Sequence, residues 1–293
     1  MTDQRRIAFL SNPHSGDGAG HHGRDDVLAR LRRYGADVGD LVGHDAAESL
    51  ALVRRAVADG VDTLVVSGGD GLIHLAVQAL AGTDTALGVI PTGSGNDAAR
   101  ALGLPLHDPL AAADVVLEDR RRRIDLGRSG DRWFLTVMST GFDAIVSARA
   151  AGMRRPRNNL RYTAAVALEL PRFRPLHYTL DLDGEEVRLE AMFVALANTD
   201  FYGGGMQIGA GASYDDGLLD VVVITTLSRT QLLRFFPTVR TGQHVHNAAF
   251  QRYRARSVTV ATMPVVTTYA DGERFGEAPI TVTCVPGALS VLV

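Results

Sequence analysis

Repeatedly in the first hundred residues, a short apolar run ends in a glycine-bearing loop that opens into a helical pattern. This alternation constrains the fold more than any other feature of the chain. Ile7–Leu10 runs into the loop Ser11–Gly20, and Asp25–Arg33 follows at helical spacing. Thr63–Val66 ends in Gly68-Gly69-Asp70-Gly71, and Leu72–Leu80 reads as a helix. Ala86–Ile90 ends in Pro91-Thr92-Gly93-Ser94-Gly95-Asn96-Asp97, ahead of a helix over Ala98–Leu102. A further helix, Ala47–Ala58, puts Leu50, Val53 and Val57 on one face. Units of this kind build a parallel sheet with right-handed crossovers. Ligands of such sheets bind beyond the carboxyl ends of the strands, where all three loops fall.

After about residue 125 the pattern changes. Trp133–Met138, Tyr178–Asp183, Glu186–Leu189, Ala191–Ala197, Leu219–Ile224, Ser257–Ala261, Val265–Tyr269 and Ile280–Val285 read as strands. Asp183-Gly184 has the composition of a tight hairpin turn. Helices are expected only over Leu160–Leu170 and near Arg229–Arg240. The expected class is α/β plus β. An N-terminal Rossmann-like parallel α/β domain covers 1–125, with the last strand, 286–293, as a candidate member of it. A C-terminal antiparallel β-rich domain covers 126–285.

Composition closes off several chemistries. All 30 basic residues are arginine. A chain without lysine has no Walker A loop, no protein-kinase β3 lysine and no Schiff base. Phosphate must then be held by backbone N–H groups, arginine or metal. The single cysteine, Cys284, excludes an intramolecular disulfide and a multi-cysteine metal site. A net charge of −3 gives no global basic field, so no nucleic-acid partner is expected. No apolar run approaches the roughly 18 residues of a membrane span. The polar stretch Met1–Arg6 is unlike a signal peptide, and cytoplasmic residence is the default expectation.

The loops differ in how specific they are. Ser11-Asn12-Pro13-His14-Ser15-Gly16, taken alone, is an ordinary strand-to-helix turn. Gly18-Ala19-Gly20-His21-His22-Gly23 has the spacing of a dinucleotide fingerprint, with Asp40 as its acid. It does not begin at the strand end, however, and reads as a flexible glycine-rich loop. Gly68-Gly69-Asp70-Gly71 is more specific, because the glycines let backbone approach a phosphate and the next helix aims its amides there. A carboxylate beside phosphate is repelled unless Asp70 binds Mg²⁺ or takes a proton from an attacking hydroxyl. The plain alternative is a helix cap. In the third loop Ser94 and Asn96 offer hydrogen bonds to phosphate or sugar, and Asp97 either serves the site or caps the next helix. Two basic clusters remain. Arg120–Arg123 suits anionic lipid headgroups or, as the plainer reading, a solvated segment before a strand. Arg154, Arg155, Arg157 and Arg161 flank Tyr162–Leu170, which suits either an interfacial or a core-facing helix.

Taken in order, Asn12-Pro13-x-Ser15-Gly16, Gly68-Gly69-Asp70-Gly71 and Pro91-x-Gly93-Ser94-x-Asn96-Asp97-x-Ala99-Arg100 resemble the catalytic domain of bacterial diacylglycerol kinases, sphingosine kinases and their relatives. The likeness continues through Arg123-Ile124-Asp125-Leu126-Gly127, Ala197-Asn198, Tyr202-Gly203-Gly204-Gly205-Met206, Asp216-Gly217-Leu218-Leu219-Asp220-Val221 and Asp271-Gly272-Glu273, nearly the whole chain. The resemblance implies a C-terminal β-sandwich and a nucleotide cleft between the domains. It implies ATP and Mg²⁺ as cofactors and a lipid hydroxyl as acceptor. ATP would contact Asn12, Pro13, Ser15, Gly16, Ser67, Gly68, Gly69, Gly71, Gly93, Ser94, Asn96 and Asp97. Asp70 and Glu273 are the implied candidates for the catalytic base. Asp216 is the implied metal ligand, and Asp125 an implied link to Mg²⁺ through water. A cytoplasmic enzyme peripheral to the membrane follows, touching the membrane surface transiently, and a homodimer is left open. The family usually has Thr and Glu at positions 72 and 75, where this chain has Leu72 and Leu75. Three other readings stand beside this one. They are an NAD kinase, which shares the Gly-Gly-Asp-Gly loop, a catalytically silent lipid- or nucleotide-binding regulator, and an NAD-dependent oxidoreductase resting on the fingerprint-like glycines alone.

Overall fold

A computed structural model describes residues 4–11, 20–153, 164–165, 168–169 and 174–293. It separates into two compact units, one of residues 1–126 and 286–293 and the other of 127–285. Asn12, Pro13, Ser15, Gly16 and the cluster Arg154–Arg161 lie outside the described residues. Of the helix expected over Leu160–Leu170, only Ala164, Ala165, Leu168 and Glu169 are described, all helical.

In the first unit, β1 (Arg6–Ser11), β2 (Asp37–Val42), β3 (Thr63–Gly68) and β4 (Ala86–Pro91) form a parallel sheet in the order β2-β1-β3-β4. The end of the last strand, β15 (Ile280–Leu292), extends it, with Val291 opposite Leu87 in parallel register. Every residue of β3 and β4 is buried, as central parallel strands covered on both faces require. Helices α1 (Gly20–Arg33) and α5 (Pro109–Glu118) bury Val27, Leu28, Leu31, Ala112, Ala113 and Val116 on Ile7, Phe9, Val65, Ala86 and Ile90. Helices α2 (Ala46–Ala58) and α3 (Asp70–Leu80) pack together as a second layer, and the short α4 (Asp97–Ala101) follows β4. Two elements of this unit have no counterpart in the sequence reading. β2 is an edge strand, largely exposed and interrupted by Asp40, so no apolar run announces it. α5 is alanine-rich, with a shallow apolar stripe. Two readings are corrected. α1 begins at Gly20, so Gly20–Gly23 is a helical turn, not a loop. Arg121–Arg123 lie within strand β5 (Arg121–Ser129), and their exposed side chains leave its backbone free to pair.

The second unit is an antiparallel β-sandwich built around the long strand β9 (Glu185–Ala197). β9 pairs with β7 (Val137–Gly141), β8 (Leu176–Leu182) and β10 (Leu219–Thr225). The sequence reading divided β9 at Glu190, whose charge breaks an apolar run but sits on an exposed position of a continuous strand. The reverse correction applies to Trp133–Met138, which splits into β6 (Arg132–Phe134) and β7. Between them the amides of Leu135 and Thr136 bond to a side chain and leave the ladder. β11 (Phe250–Ala255) pairs with β10, β12 (Ser257–Met263) with β8, and β13 (Thr267–Ala270) with both β7 and β14 (Glu273–Glu277). Along β10, Leu219, Val221 and Val223 enter one core, and Val222 and Ile224 the other. The second core is covered by α6 (Phe142–Gly152), a helix the sequence reading did not expect, and by α7 (Arg229–Val239), which it did. Asp183-Gly184 is the expected tight turn, with φ of 53° and 94°.

Candidate active site

The Gly-Gly-Asp-Gly loop and the Pro91–Asp97 loop sit at the ends of adjacent parallel strands, joined where Thr92 donates to the Gly68 carbonyl at 3.0 Å. Beyond that bond, Gly69 and Gly93 abut. A Cβ on Gly93 would lie 2.4 Å from the Gly69 Cα, and one on Gly69 would lie 3.1 Å from the Gly93 Cα. At Gly93 a side chain cannot be placed without moving backbone, and at Gly69 it would be tight. Asn96 sits in the left-handed region at φ 55° and is the N-cap residue of α4. Its carboxamide folds back on Gly93, accepting from the N–H at 3.0 Å and donating to the carbonyl at 2.9 Å. Asn96 therefore shapes the loop with the side chain that the sequence reading offered to a nucleotide.

Asp70 is the first residue of α3, and the extended Gly69 before it is the N-cap. The carboxylate reaches across to the other loop, where its Oδ1 accepts from the Ala98 N–H at 3.2 Å. The capping alternative therefore takes a cross-loop form, in which Asp70 satisfies an amide at the start of α4 rather than of its own helix. The bond brings two acidic residues, Asp70 and the buried Asp97, into one loop cluster. Gly71 and Ser94 are the exposed members, while Ser67 is buried. Asp125 is also buried, and its Oδ1 accepts from the Gly287 N–H at 2.8 Å, tying β5 to β15. Asp70 and Asp97 are the carboxylates of this cluster, and carboxylate oxygen is the donor type that a hard cation takes.

In the second unit Asp216 has a different neighbourhood. One oxygen accepts from the Leu218 N–H at 3.0 Å and the other pairs with Arg254 Nη2. Beside it Asp220, 1% exposed, meets Arg252 Nη2 at 2.6 Å and Arg254 Nε at 3.3 Å. Burial pushes the Asp220 carboxyl above the usual carboxylate range, and the two arginines pull against that shift. No group of three His, Cys, Asp or Glu side chains suited to a metal occurs among the described residues. With an arginine already on its carboxylate, Asp216 does not fit the metal ligand that the resemblance implied.

Glu273 is exposed at the start of β14, directly after the turn Asp271-Gly272, whose φ angles are 51° and 86°. The Asp271 carboxylate accepts from the Leu135 N–H at 3.0 Å, the Thr136 N–H at 2.8 Å and the Thr136 hydroxyl at 2.6 Å. The sequence reading quoted Asp271 only within the Asp271-Gly272-Glu273 motif and gave it no role of its own. The Asp-Gly turn gave its signal but not its partners, which lie about 135 residues away. Asp183 clasps the amides of Arg256 and Ser257 in the same way at 2.9 and 2.7 Å. The clasp is therefore a turn device of this unit, and at Asp271 it fixes where Glu273 begins.

A parallel domain with glycine loops gathered around carboxylates, followed by an antiparallel sandwich, defines a phosphate-handling two-domain protein. Residues 6–129 match the diacylglycerol kinase catalytic domain, and residues 136–293 match the YegS C-terminal NAD kinase beta sandwich-like domain. A diacylglycerol kinase of Mycobacterium tuberculosis is 44% identical, over 98% of this chain and 94% of its own length. That of Bacillus subtilis is 27% identical, over 94% and 92%. A crystal structure of a putative diacylglycerol kinase from Bacillus anthracis superposes with a TM-score of 0.84 at 21% identity, covering 100% of this chain and 98% of that one, a likeness of fold. The chain belongs to the diacylglycerol kinase family and is a phosphotransferase with an alcohol acceptor. The description of the sandwich domain carries a likeness to NAD kinases.

Proposed function

We propose that the chain transfers the γ-phosphoryl group of ATP to the free hydroxyl of diacylglycerol, with Mg²⁺. The observation that carries this reading is the Gly69–Gly93 contact braced by Asp70 on Ala98, set in a chain of this family. The amides of the two loops would cradle the phosphates, with Ser94 as an exposed hydroxyl donor. Asp70 and Asp97 would hold Mg²⁺, which when bound neutralises phosphate charge. Acceptor oxygen and γ-phosphorus form a bond, the bond to the β,γ-bridging oxygen breaks, ADP leaves, and the hydroxyl proton goes to a carboxylate. One oxygen of Asp70 is committed to Ala98, whereas Glu273 is exposed on a turn that Asp271 fixes, so Glu273 is the proposed base. Asp125 would act through the β5–β15 tie. Among the described residues no helix is long and apolar enough to cross a membrane, so the lipid would be met at a surface. The test is incubation with labelled ATP and a panel of lipids. Labelled phosphatidic acid from diacylglycerol is expected, and phosphorylation of another lipid in its place would redirect the reading.

A further inference from the structure

Between Asp220 and Asp271 lie fifty residues with six arginines and no acidic residue. That segment carries +6 in a chain whose total is −3, so the rest carries −9. Two of the six, Arg252 and Arg254, turn back onto Asp216 and Asp220. Three of the others, Arg229, Arg234 and Arg240, are exposed on or next to α7.

The helix is two-faced. Leu232, Phe235 and Val239 are buried in the second core, and Phe236 leans on Phe142 with ring centroids 5.8 Å apart. At 100° per residue, Leu233 and Pro237 form an outward stripe away from that buried face, with Arg229 and Arg240 along one edge, beside Phe236, and Arg234 along the other. Leu233 is 56% exposed in that stripe, with cationic side chains before and after it. The capping box of Ser228 and Gln231 secures the helix start, yet Arg229 follows it where the helix dipole favours an acid. An outward apolar residue framed by arginines, without an acid, suits a surface of the opposite charge with an apolar interior just beneath it.

We infer that the outward face of α7 docks on an anionic lipid bilayer, with Leu233 entering the headgroup boundary and Arg229, Arg234 and Arg240 meeting lipid phosphates. This rests on the reading that the substrate is a membrane lipid, and it names the surface that meets the membrane. The test is flotation of the full chain with phosphatidylglycerol or phosphatidylcholine vesicles, without nucleotide or diacylglycerol, so that docking is read apart from turnover. The wild-type chain is expected to float with phosphatidylglycerol and not with phosphatidylcholine. Replacing the three arginines by glutamine should weaken that binding about 100-fold, while replacing all three by lysine should retain it. The glutamine variant should keep its circular-dichroism melt and its turnover of short-chain diacylglycerol in detergent micelles. Wild-type binding by the glutamine variant would overturn the inference, as would no wild-type binding to phosphatidylglycerol. Loss of self-association in that variant with vesicle binding intact would assign the face to a second copy and overturn it as well.

Discussion

A methyl group is enough to test the loop geometry. Its carbon on Gly93 would meet the Gly69 backbone, which cannot swing aside as a side chain can. Gly93→Ala should cost about 1–3 kcal/mol of stability by overpacking and should raise the KM for ATP more than tenfold. An unchanged KM in the folded variant would separate these loops from the nucleotide. Asp271→Ala strands two amides and a hydroxyl and should lower stability by about 1–3 kcal/mol, read from urea unfolding. Its effect on kcat should exceed that of Asp183→Ala, which breaks the same device in a turn without a following Glu273. Asp216→Asn should lower the melting temperature by weakening the pair with Arg254, and should leave the Mg²⁺ dependence of turnover unchanged. A shifted Mg²⁺ requirement would restore a metal role for Asp216. The glycines and Asp70 were legible because the loop itself spells them out. The work of Asn96 and Asp271 was not legible. It depends on a left-handed backbone at Asn96 and on amides far from Asp271 in sequence.

Elements with a strong apolar period were legible, and those whose burial is one-sided or absent were not. β3 and β4 announce themselves because central strands are apolar throughout, while β2 at the sheet edge has little apolar surface to show. Charge misled in both directions. Glu190 interrupts the pattern of β9 without interrupting the strand, and three arginines open β5 while pairing through its backbone. Next to α7, the short 3-10 turn Gln243–His246 buries His244 between Phe235 and Phe250, with Nε2 3.1 Å from the Ile208 carbonyl. Burial holds the His244 pKa below the usual histidine value. As pH falls through about 6.5, the unfolded chain takes up a proton that the folded chain does not. Stability is therefore full above that pH and declines below it, by up to about 1.4 kcal/mol per pH unit until the folded group titrates. Urea unfolding at pH 8 and pH 5.5 reads this directly. His244→Leu should flatten the decline relative to the wild type, and equal slopes would place the proton elsewhere.

At the scale of the whole chain, the order of motifs carried more than any one of them, because each loop alone has an ordinary structural explanation. The two-unit division, the parallel sheet and the sandwich follow from the change in pattern near residue 125, and the family match spans both units. Leu72 and Leu75 leave the acceptor less constrained than the phosphate loops, so the acceptor is where the account is most exposed to test. The direct measurement is transfer of label from γ-labelled ATP to lipid, with the wild type and Glu273→Gln side by side, with and without Mg²⁺. The account predicts labelled phosphatidic acid from diacylglycerol, dependent on Mg²⁺ and reduced about 10²–10⁴-fold in kcat by Glu273→Gln at near-normal ATP affinity. Full turnover by Glu273→Gln would leave Asp70 as the base, while label appearing in NADP and in no lipid would contradict the central claim.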